Sequence, residues 1–148
     1  QTIQKLLTTE GPIVAVGTTS VRTLESLYWF GVKLLEGKSE KVHISKLFAY
    51  ENRSSYPSRK EAMEKILTWM KMNGKQALFG STEIFIFPGY QYRMIDGLIT
   101  NFHQPGSTLV LLIATILGED WKKVYQEALA KEYRFLSYGD SSLLWLNR

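Results

Sequence analysis

The segment STLVLLIATIL, residues 107–117, constrains the fold most strongly, because the helix that it predicts is apolar on every side. Ser107 or Thr108 can cap this helix. A helix without a polar face has to be covered by other elements rather than by water. A strand-like run, DGLITNF, precedes the helix and is joined to it by a polar loop. A strand that leads into a covered helix is typical of a layered α/β domain.

A second strand, turn and helix begin at PIVAVG, residues 12–17, a β-branched run that predicts a buried strand. Thr19 or Ser20 can cap the helix that follows, and we expect Gly31 to end it. Arg22 and Glu25 lie one turn apart on this helix, a spacing that suits a simple surface ion pair. The inner face of the helix carries Val21, Leu24, Leu27 and Tyr28.

Further elements repeat the alternation of strands and helices. The segment SRKEAMEKILTWMKMNG predicts an amphipathic helix that begins with a capping box of Ser58 and Glu61 and ends at Asn73-Gly74. TEIFIF, residues 82–87, predicts a strand, KVHISKLFAY a weaker one near a sheet edge, and SSLLWL a last strand. EDWKKVYQEALAKEY predicts a helix that covers one side of the sheet. Its apolar stripe consists of Trp121, Val124, Tyr125, Ala128 and Leu129.

The length of 148 residues, 45% of them hydrophobic, predicts one domain over residues 1–148. Cysteine is absent, which excludes disulfides and thiolate chemistry and agrees with a reducing compartment. The longest apolar stretch, residues 109–117, is shorter than the ~20 residues that span a bilayer, and residues 1–20 lack a signal pattern. We therefore expect a cytoplasmic protein with no membrane partner. The opening QTIQKLL looks like the end of a helix, so we expect the chain to begin inside a larger protein.

Positive charge is concentrated in residues 33–75, which hold ten Lys/Arg against five Asp/Glu and are called the basic segment below. Aromatic residues interleave with these charges, as on a face that contacts nucleic acid. The alternative is an ordinary solvated surface. If this face contacts RNA, the candidate contacts are Lys60, Lys65 and Lys71 on the predicted amphipathic helix.

Two polar turns carry the candidate binding residues. Each turn follows a predicted strand and leads into a predicted helix, so hydroxyl groups and free amides meet at a helix N-terminus. In α/β sheets ligands bind at the carboxyl ends of the strands, where such turns lie. Ordinary helix capping is the alternative for each turn. The candidates are Thr18, Thr19 and Ser20 in the first turn and Asn101, Ser107 and Thr108 in the second.

Several single residues could take part in chemistry. His103 can act as a general acid or base, or it can be a structural hydrogen-bonding residue. Asp96 and Asp140 can hold sugar hydroxyls or transfer protons, and each also suits a turn. Tyr90 can stack on a base or simply pack. No metal site is predicted, because the two histidines, His43 and His103, lack partners at ligand spacing, and the glycine-rich nucleotide motifs are missing.

Three blocks together resemble a known enzyme family. They are VGTTSVRTLES (residues 16–26), IFIFPGYQYRMIDGLITNFHQPGSTLVLLIA (residues 84–114) and YRFLSYGDSSLL (residues 133–144). In this order they resemble the S-adenosylmethionine:tRNA ribosyltransferase-isomerases of queuosine biosynthesis. The blocks lie toward both ends of the chain, which makes the resemblance specific.

The resemblance implies an enzyme that moves the ribosyl group of S-adenosylmethionine onto the aminomethyl-deazaguanine base of tRNA. The products would be epoxyqueuosine, adenine and methionine, and no metal is implied. Family members resemble a three-layer α/β/α sandwich with an inserted β-barrel. This chain resembles the C-terminal part of that sandwich, so the barrel and the N-terminal part of the same polypeptide lie outside it.

The implied reaction suggests a role for each candidate. The two turns would form a polar cradle for the ribose, and a proton would be moved by His103, Asp96 or Asp140. Tyr90 or Tyr138 would stack on a base. Arg22 would clamp a carboxylate or phosphate, because its guanidinium offers a fork of donors.

Three departures from the family pattern indicate a divergent subgroup. Gly106 stands where the family usually has the lysine of His-Leu-Pro-Lys-Ser-Thr, and Ser141-Ser142 replace Ala-Met after Tyr-Gly-Asp. The stretch from about Lys38 to Lys75 is expanded, which suggests altered RNA contacts. Two alternatives stay open: a non-catalytic relative that binds tRNA or an adenosine ligand, and a structural half-domain without a site. We expect the 148 residues alone to be inactive.

Overall fold

The protein's structure, a computed structural model, describes residues 1–38 and 40–146. Its helices are α1 (Thr2–Thr8), α2 (Thr18–Leu35), α3 (Arg59–Met72), α4 (Thr108–Leu117) and α5 (Trp121–Ala130), with short 3₁₀ helices at Phe48–Tyr50 and Gly118–Asp120. Its strands are β1 (Val14–Val16), β2 (His43–Ile44), β3 (Ser81–Thr82), β4 (Gly97–Asn101) and β5 (Ser141–Trp145). The predicted mixed α/β class is confirmed.

The described residues divide into two compact units. The helical unit comprises Gln1–Pro12, Arg22–Phe85 and Tyr92–Met94. The sheet unit comprises Ile13–Val21, Ile86–Gln91 and the described residues from Ile95 onward.

The sheet unit is built on three strands in the order β1-β4-β5. β1 runs parallel to β4, with Val16 opposite Ile99, and β5 runs antiparallel to β4, with Asn101 opposite Ser141. The carboxyl ends of β1 and β4 therefore lie at one edge of the sheet, together with the start of β5. We call this edge the carboxyl edge.

The two faces of this sheet differ in burial. Ala15, Leu98 and Leu144 point to one side and are buried. α4 contacts β5 and α5, and its buried side chains are Val110, Leu112, Ile113, Ala114 and Ile116. The apolar helix is thus largely covered, as predicted, although Leu109, Leu111 and Leu117 are only half-buried. The other side of the sheet carries an apolar row that stays exposed; this exposed face consists of Val16, Ile99, Leu143 and Trp145.

The helical unit has an aromatic core. Trp29 of α2 is buried and lies edge-on to Phe48, while Phe30 lies edge-on to Trp69 of α3. α3 begins at Ser58 with the predicted capping box, in which Ser58 and Glu61 exchange hydrogen bonds. α1 packs against α3 in the same unit.

Gly31 does not end α2, contrary to the prediction, because the helix continues to Leu35. The position needs glycine for a different reason. A Cβ added at Gly31 would lie 2.5 Å from the carbonyl oxygen of Ala62 and 2.8 Å from its Cα. Glycine thus lets α2 and α3 approach each other backbone to backbone.

The predicted strand over residues 82–87 is largely wrong, since β3 ends at Thr82. The alternation that predicted it is nevertheless present in the burial, because Ile84 and Ile86 are buried. Within the described part of the chain, the pairing continues only through isolated backbone bonds, from Glu83 N to Ile44 O and from Phe85 N to Lys46 O. β2 is likewise limited to two residues.

Candidate functional site

The carboxyl edge brings the two predicted polar turns to the same side of one sheet. The parallel pairing of β1 and β4 sets this arrangement, and it extends beyond β1 through a bond from Gly17 N to Ile99 O of 2.8 Å. Gly17 has a φ of +85°, the left-handed region that favours glycine. The chain can therefore turn sharply from β1 into α2.

In the first turn, α2 already begins at Thr18. Thr19 and Ser20 consequently lie in the first helical turn and not at the capping position that the sequence suggested for them. Thr18 is half-buried, whereas Thr19 and Ser20 are exposed. Their hydroxyl groups lie at the N-terminus of a long helix, where the backbone dipole favours negative charge.

The second turn is a tight reversal through Pro105 and Gly106. Ser107 N donates to Gln104 O at 3.2 Å, and Gly106 has a φ of +88°. Proline followed by a glycine of positive φ is the pattern of a type II turn. A lysine at position 106 would be strained in this conformation. The glycine that stands in place of the family's lysine therefore permits the shape of this turn.

Ser107 occupies the N-cap position of α4, but its side chain makes no capping hydrogen bond. Its Oγ is buried and has no hydrogen-bond partner within the part of the chain that the structure describes. Thr108 is the first residue of α4 and is exposed. The start of α4 is therefore positioned by the turn rather than by a side-chain cap.

His103 is half-buried just beyond β4. Its Nε2 and the Thr100 hydroxyl share a hydrogen bond of 3.1 Å, and its backbone N–H donates to the Tyr125 hydroxyl at 3.3 Å. Burial lowers the pKa of the imidazole from its ordinary value. The neutral ring is thereby favoured, which suits a proton acceptor better than a proton donor.

Asp140 lies at the carboxyl edge, directly before β5. Its carboxylate accepts hydrogen bonds from the Arg134 backbone N–H at 2.8 Å and from the Arg134 guanidinium at 2.9 Å. These bonds hold the pKa of Asp140 below its usual value. The residue therefore stays ionised and is a poor proton donor near neutral pH. Sequence reasoning missed Arg134, although it belongs to one of the three resembling blocks.

Asn101 ends β4 and joins the carboxyl edge to the loop before β5. Its Nδ2 donates to Leu136 O at 3.0 Å and to Ser137 O at 3.3 Å, and its Oδ1 accepts from Ser141 Oγ at 2.6 Å. Both the nitrogen and the oxygen of the side-chain amide therefore form hydrogen bonds within the protein.

The two candidate stacking residues have opposite environments. Tyr138 is 96% exposed in the loop that Asn101 contacts. Tyr90 is buried, with 7% exposure, so its ring lacks an open face on which a base could stack. Of the two rings, that of Tyr138 has the exposed face that stacking requires.

Asp96 lies at the opposite end of β4 from the carboxyl edge. Its Oδ2 accepts a hydrogen bond from Ile13 N at 2.8 Å, directly before β1. The five residues of β4, which extend over about 16 Å at ~3.3 Å per residue, lie between Asp96 and His103. The structure therefore groups His103 with Asp140 and does not bring Asp96 to them.

Arg22 and Glu25 belong to the helical unit and do not form the expected surface pair. Glu25 is fully buried and accepts hydrogen bonds from the backbone N–H groups of Arg93, at 3.0 Å, and Met94, at 2.9 Å. Arg22 lies in the second turn of α2. Its Nε is buried and has no hydrogen-bond partner among residues 1–38 and 40–146.

Much of the positive charge in the basic segment is engaged within the protein. Lys33 donates to two carbonyl oxygens, Lys38 pairs with Glu36 and Glu51, and Arg53 lies over the rings of Trp29 and Phe48. Lys46 and Lys75 lie over the rings of Phe85 and Trp69. These cations stabilise the helical unit, so the segment offers less free charge than its composition suggests.

The three candidate RNA contacts do not share one face of α3. At about 100° per residue, Lys60 and Lys71 lie within roughly 20° of each other around the helix, whereas Lys65 lies about 140° from Lys60. Lys60 and Lys71 are exposed, and Lys65 is half-buried. A phosphate-contacting face on α3 would therefore use Lys60 and Lys71 without Lys65.

The described residues contain neither a metal-binding cluster nor a membrane-spanning helix. Residues 1–38 and 40–146 contain no group of three or more His, Cys, Asp and Glu side chains that could hold a metal ion. Among the helices within these same ranges, none is both long enough and apolar enough to cross a membrane.

Parallel strands that end in polar turns at helix N-termini are typical of a class of α/β proteins in which ligands bind beyond the carboxyl ends of the strands. Comparison with known families then identifies the particular member of this class. The family described as "Queuosine biosynthesis protein" matches residues 1–144, and the chain belongs to that family.

Individual relatives agree with this assignment. The chain is 54% identical over 70 residues to the S-adenosylmethionine:tRNA ribosyltransferase-isomerase of Dinoroseobacter shibae, a match that covers 47% of this chain and 20% of the relative. It is 59% identical over 64 residues to the enzyme of the same name from Legionella pneumophila strain Corby, covering 43% and 19%. The matches thus span about a fifth of the length of these curated relatives.

The fold agrees with a solved structure as well. The crystal structure of the S-adenosylmethionine tRNA ribosyltransferase of Thermotoga maritima is similar, with a TM-score of 0.61 and 32% sequence identity. The similarity covers 96% of this chain and 37% of that one.

Proposed function

We propose that this chain is part of an S-adenosylmethionine:tRNA ribosyltransferase-isomerase. The enzyme would move the ribosyl group of S-adenosylmethionine onto the aminomethyl-deazaguanine base of a tRNA, forming epoxyqueuosine and releasing adenine and methionine. The observation that carries this proposal is the family match over residues 1–144, together with two polar turns at one edge of a parallel strand pair. A tRNA substrate makes the cytoplasm the site of action.

The carboxyl edge offers the groups that this reaction requires. The amine of the base has to approach the ribose of a sulfonium donor, and its proton has to be accepted. His103 is the proposed acceptor, because burial lowers its pKa and keeps the ring neutral. Thr18, Thr19, Ser20, Ser107 and Thr108 are the proposed ribose contacts.

Charge and stacking complete the proposed site. Asp140, held ionised by Arg134, would accept a hydrogen bond from a sugar hydroxyl. Tyr138 would stack on a base. Separately, Arg22 of the helical unit is proposed to clamp an anionic group of a substrate. Its Nε is buried and has no hydrogen-bond partner among the described residues, which supports this role.

We further propose that residues 1–148 are one α/β domain within a three-layer sandwich whose remaining parts come from the same polypeptide. The exposed face supports this proposal. A parallel strand pair is ordinarily covered on both sides, yet Val16 of β1 and Ile99 of β4 are 67% and 36% exposed. A further layer packed on this face would bury them, and a β-barrel domain would lie outside the present residues.

The proposed reaction is tested with the natural full-length polypeptide that contains these residues. The protein is mixed with ribose-labelled S-adenosylmethionine and a tRNA that carries the aminomethyl-deazaguanine base. We expect adenine release together with transfer of label to the tRNA. The matched control is the same tRNA with unmodified guanine, which should give neither product.

One outcome would support the alternative of a non-catalytic relative. Gly106 stands in place of the family's usual lysine and adopts a backbone conformation that disfavours lysine. If the full-length protein binds the precursor tRNA tightly but releases no adenine, the transferase proposal is wrong and a binding role replaces it.

A further inference from the structure

The side chain of Asn101 has no amide hydrogen left for a ligand. Its Nδ2 donates to Leu136 O at 3.0 Å and to Ser137 O at 3.3 Å. An amide nitrogen carries only two hydrogens, so both are used within the protein. The role that the sequence suggested for Asn101, a donor in a ribose cradle, is therefore less suitable than a role inside the fold.

The segment that Asn101 contacts has an unusual backbone. Leu136 has a φ of +72°, a region that bulky side chains rarely adopt. Leu136 N donates to Phe102 O at 2.9 Å, and Gly139 N donates to Leu136 O at 2.8 Å. Such a conformation persists only where the surrounding bonds impose it, and Asn101 supplies two of those bonds.

The result of this conformation is the exposure of one aromatic ring. Tyr138 lies between Ser137, whose carbonyl Asn101 holds, and Gly139, whose N–H closes the turn. Its side chain is 96% exposed at the carboxyl edge. An exposed ring on a fixed turn is a suitable platform for stacking a nucleobase.

We propose that Asn101 is a positioning residue, which fixes the turn of residues 136–139 so that Tyr138 presents its ring to a nucleobase of the substrate. This inference rests on the proposed function, in which both substrates carry a nucleobase. One is the adenine of S-adenosylmethionine, and the other belongs to the tRNA. Asn101 then acts through Tyr138 and does not touch the substrate.

A double-mutant cycle in the full-length protein tests the inference. Tyr138→Ala should raise one KM about tenfold with little change in kcat, since a stacked base contributes on this order to binding. Asn101→Ala should raise the same KM by a similar factor, and the double variant should be no worse than Tyr138→Ala alone. The substrate whose KM rises, tRNA or S-adenosylmethionine, identifies the stacked base.

Two matched variants separate positioning from a general loss of structure. Ser141→Ala removes the bond to Oδ1 but leaves both bonds to the turn, so KM should stay within about twofold. Asn101→Asp keeps the shape of the side chain but removes both donors, so it should resemble Asn101→Ala. Tyr138→Trp should retain the wild-type KM, because the indole ring still offers an aromatic face for stacking.

Hydrogen exchange in the absence of substrate tests the turn independently of any reaction. The amides of Leu136 and Gly139 should exchange at least tenfold faster in Asn101→Ala than in the wild type, while Tyr138→Ala leaves them protected. Unchanged exchange in Asn101→Ala would overturn the inference, as would additive effects of the two substitutions on KM.

If the wild type binds tRNA without turnover, the proposed reaction fails, and the same cycle measured as Kd still decides the role of Asn101. A protein that neither binds nor turns over would contradict both proposals.

Discussion

His103 shows how local burial can select one chemical role for a residue that has several. The ring is half-buried, shares a hydrogen bond of 3.1 Å with Thr100, and has a pKa below its ordinary value because burial disfavours the charged form. From the sequence, His103 could be an acid, a base or a structural residue. Of the two chemical roles, the lowered pKa supports the proposed base.

The pH dependence of activity should reflect this shift. A general base works when neutral, so kcat/KM should stay level above pH 6.5, the ordinary value for histidine, and fall only at lower pH. His103→Gln should remove this limb and reduce kcat at least about 100-fold, as expected for loss of a general base. A pH–rate profile of both proteins gives the measurement, and a limb with a midpoint above 6.5 would contradict the assignment.

Stability should change with pH in the same sense. Because the folded state holds the proton less tightly than the unfolded chain, the stability contributed by neutral His103 is present above pH 6.5 and lost as pH falls below it. His103→Gln should fold with nearly wild-type stability at pH 8. A large loss of stability at that pH, with activity retained, would assign His103 a structural role instead.

At the scale of elements, the contact between α2 and α3 depends on one missing side chain. A Cβ added at Gly31 would lie 2.5 Å from the backbone carbonyl oxygen of Ala62. Neither backbone can yield as a flexible side chain would. The helical unit therefore requires glycine inside α2, although glycine is a poor helix former.

Gly31→Ala should destabilise the protein even though alanine favours helix by ~1 kcal/mol. Forcing the helices apart costs about 1–3 kcal/mol or more, so the net effect should be a loss of at least ~1 kcal/mol. Urea unfolding measures the change. The control is Gly11→Ala, which meets no atom within 4 Å and should alter stability by less than ~0.5 kcal/mol. Equal stability of the two variants would refute the close contact.

α3 also allows a direct test of RNA binding. Lys60→Glu and Lys71→Glu should each weaken tRNA binding and lower the slope of log K against log salt by about 1, if the exposed face of α3 contacts phosphates. Lys65→Glu, on another side of the helix, should change neither. Binding titrations at several salt concentrations give the slopes. Equal effects of all three substitutions would indicate general electrostatic attraction rather than a contact face. If none of the three changed binding, α3 would be an ordinary solvated surface.

Sequence patterns predicted these elements with uneven success, for physical reasons. Periodicity located α2, α3, α4 and α5 because it reports which side chains are buried. The same signal over residues 82–87 was correct for burial but wrong for the strand, since alternation does not reveal whether a partner strand continues. Gly31 and Glu25 were misjudged because their roles depend on partners far away in sequence, Ala62 in one case and Met94 in the other.

The candidate site was predictable to a similar degree. The order of strand, turn and helix located both polar turns. The pattern did not establish that β1 and β4 are parallel, and it is this pairing that brings the two turns to one edge. The separation of Asp96 from that edge follows from its position before β4, once the strand is known to start at Gly97. The burial of Tyr90 and the bonds of Asn101 depend on side-chain packing, which sequence patterns do not encode.

At the scale of the whole molecule, the exposed face is the feature that requires an explanation. Val16, Ile99 and Leu143 form a row across all three strands, with exposures of 67%, 36% and 52%. Apolar rows of this kind usually mark a surface that another layer covers. The row fits the proposed sandwich, in which other parts of the polypeptide supply that layer.

Thiol labelling of the full-length protein can test this coverage, because residues 1–148 contain no cysteine. In a parent whose other cysteines are replaced, Leu143→Cys should react at least tenfold more slowly with a maleimide than Glu119→Cys. Glu119 is the control because its side chain is 95% exposed and belongs to the short 3₁₀ helix Gly118–Asp120 rather than to a strand. Equal labelling rates would show that the exposed face stays open in the full-length protein.

The central claim is that the two polar turns at the carboxyl edge form one binding site for the ribosyl donor. The most direct measurement is a structure of the full-length protein with S-adenosylmethionine bound. We expect ribose hydroxyls within about 3 Å of polar atoms in both residues 17–20 and residues 101–108. A donor bound elsewhere, with its ribose touching neither turn, would contradict the account.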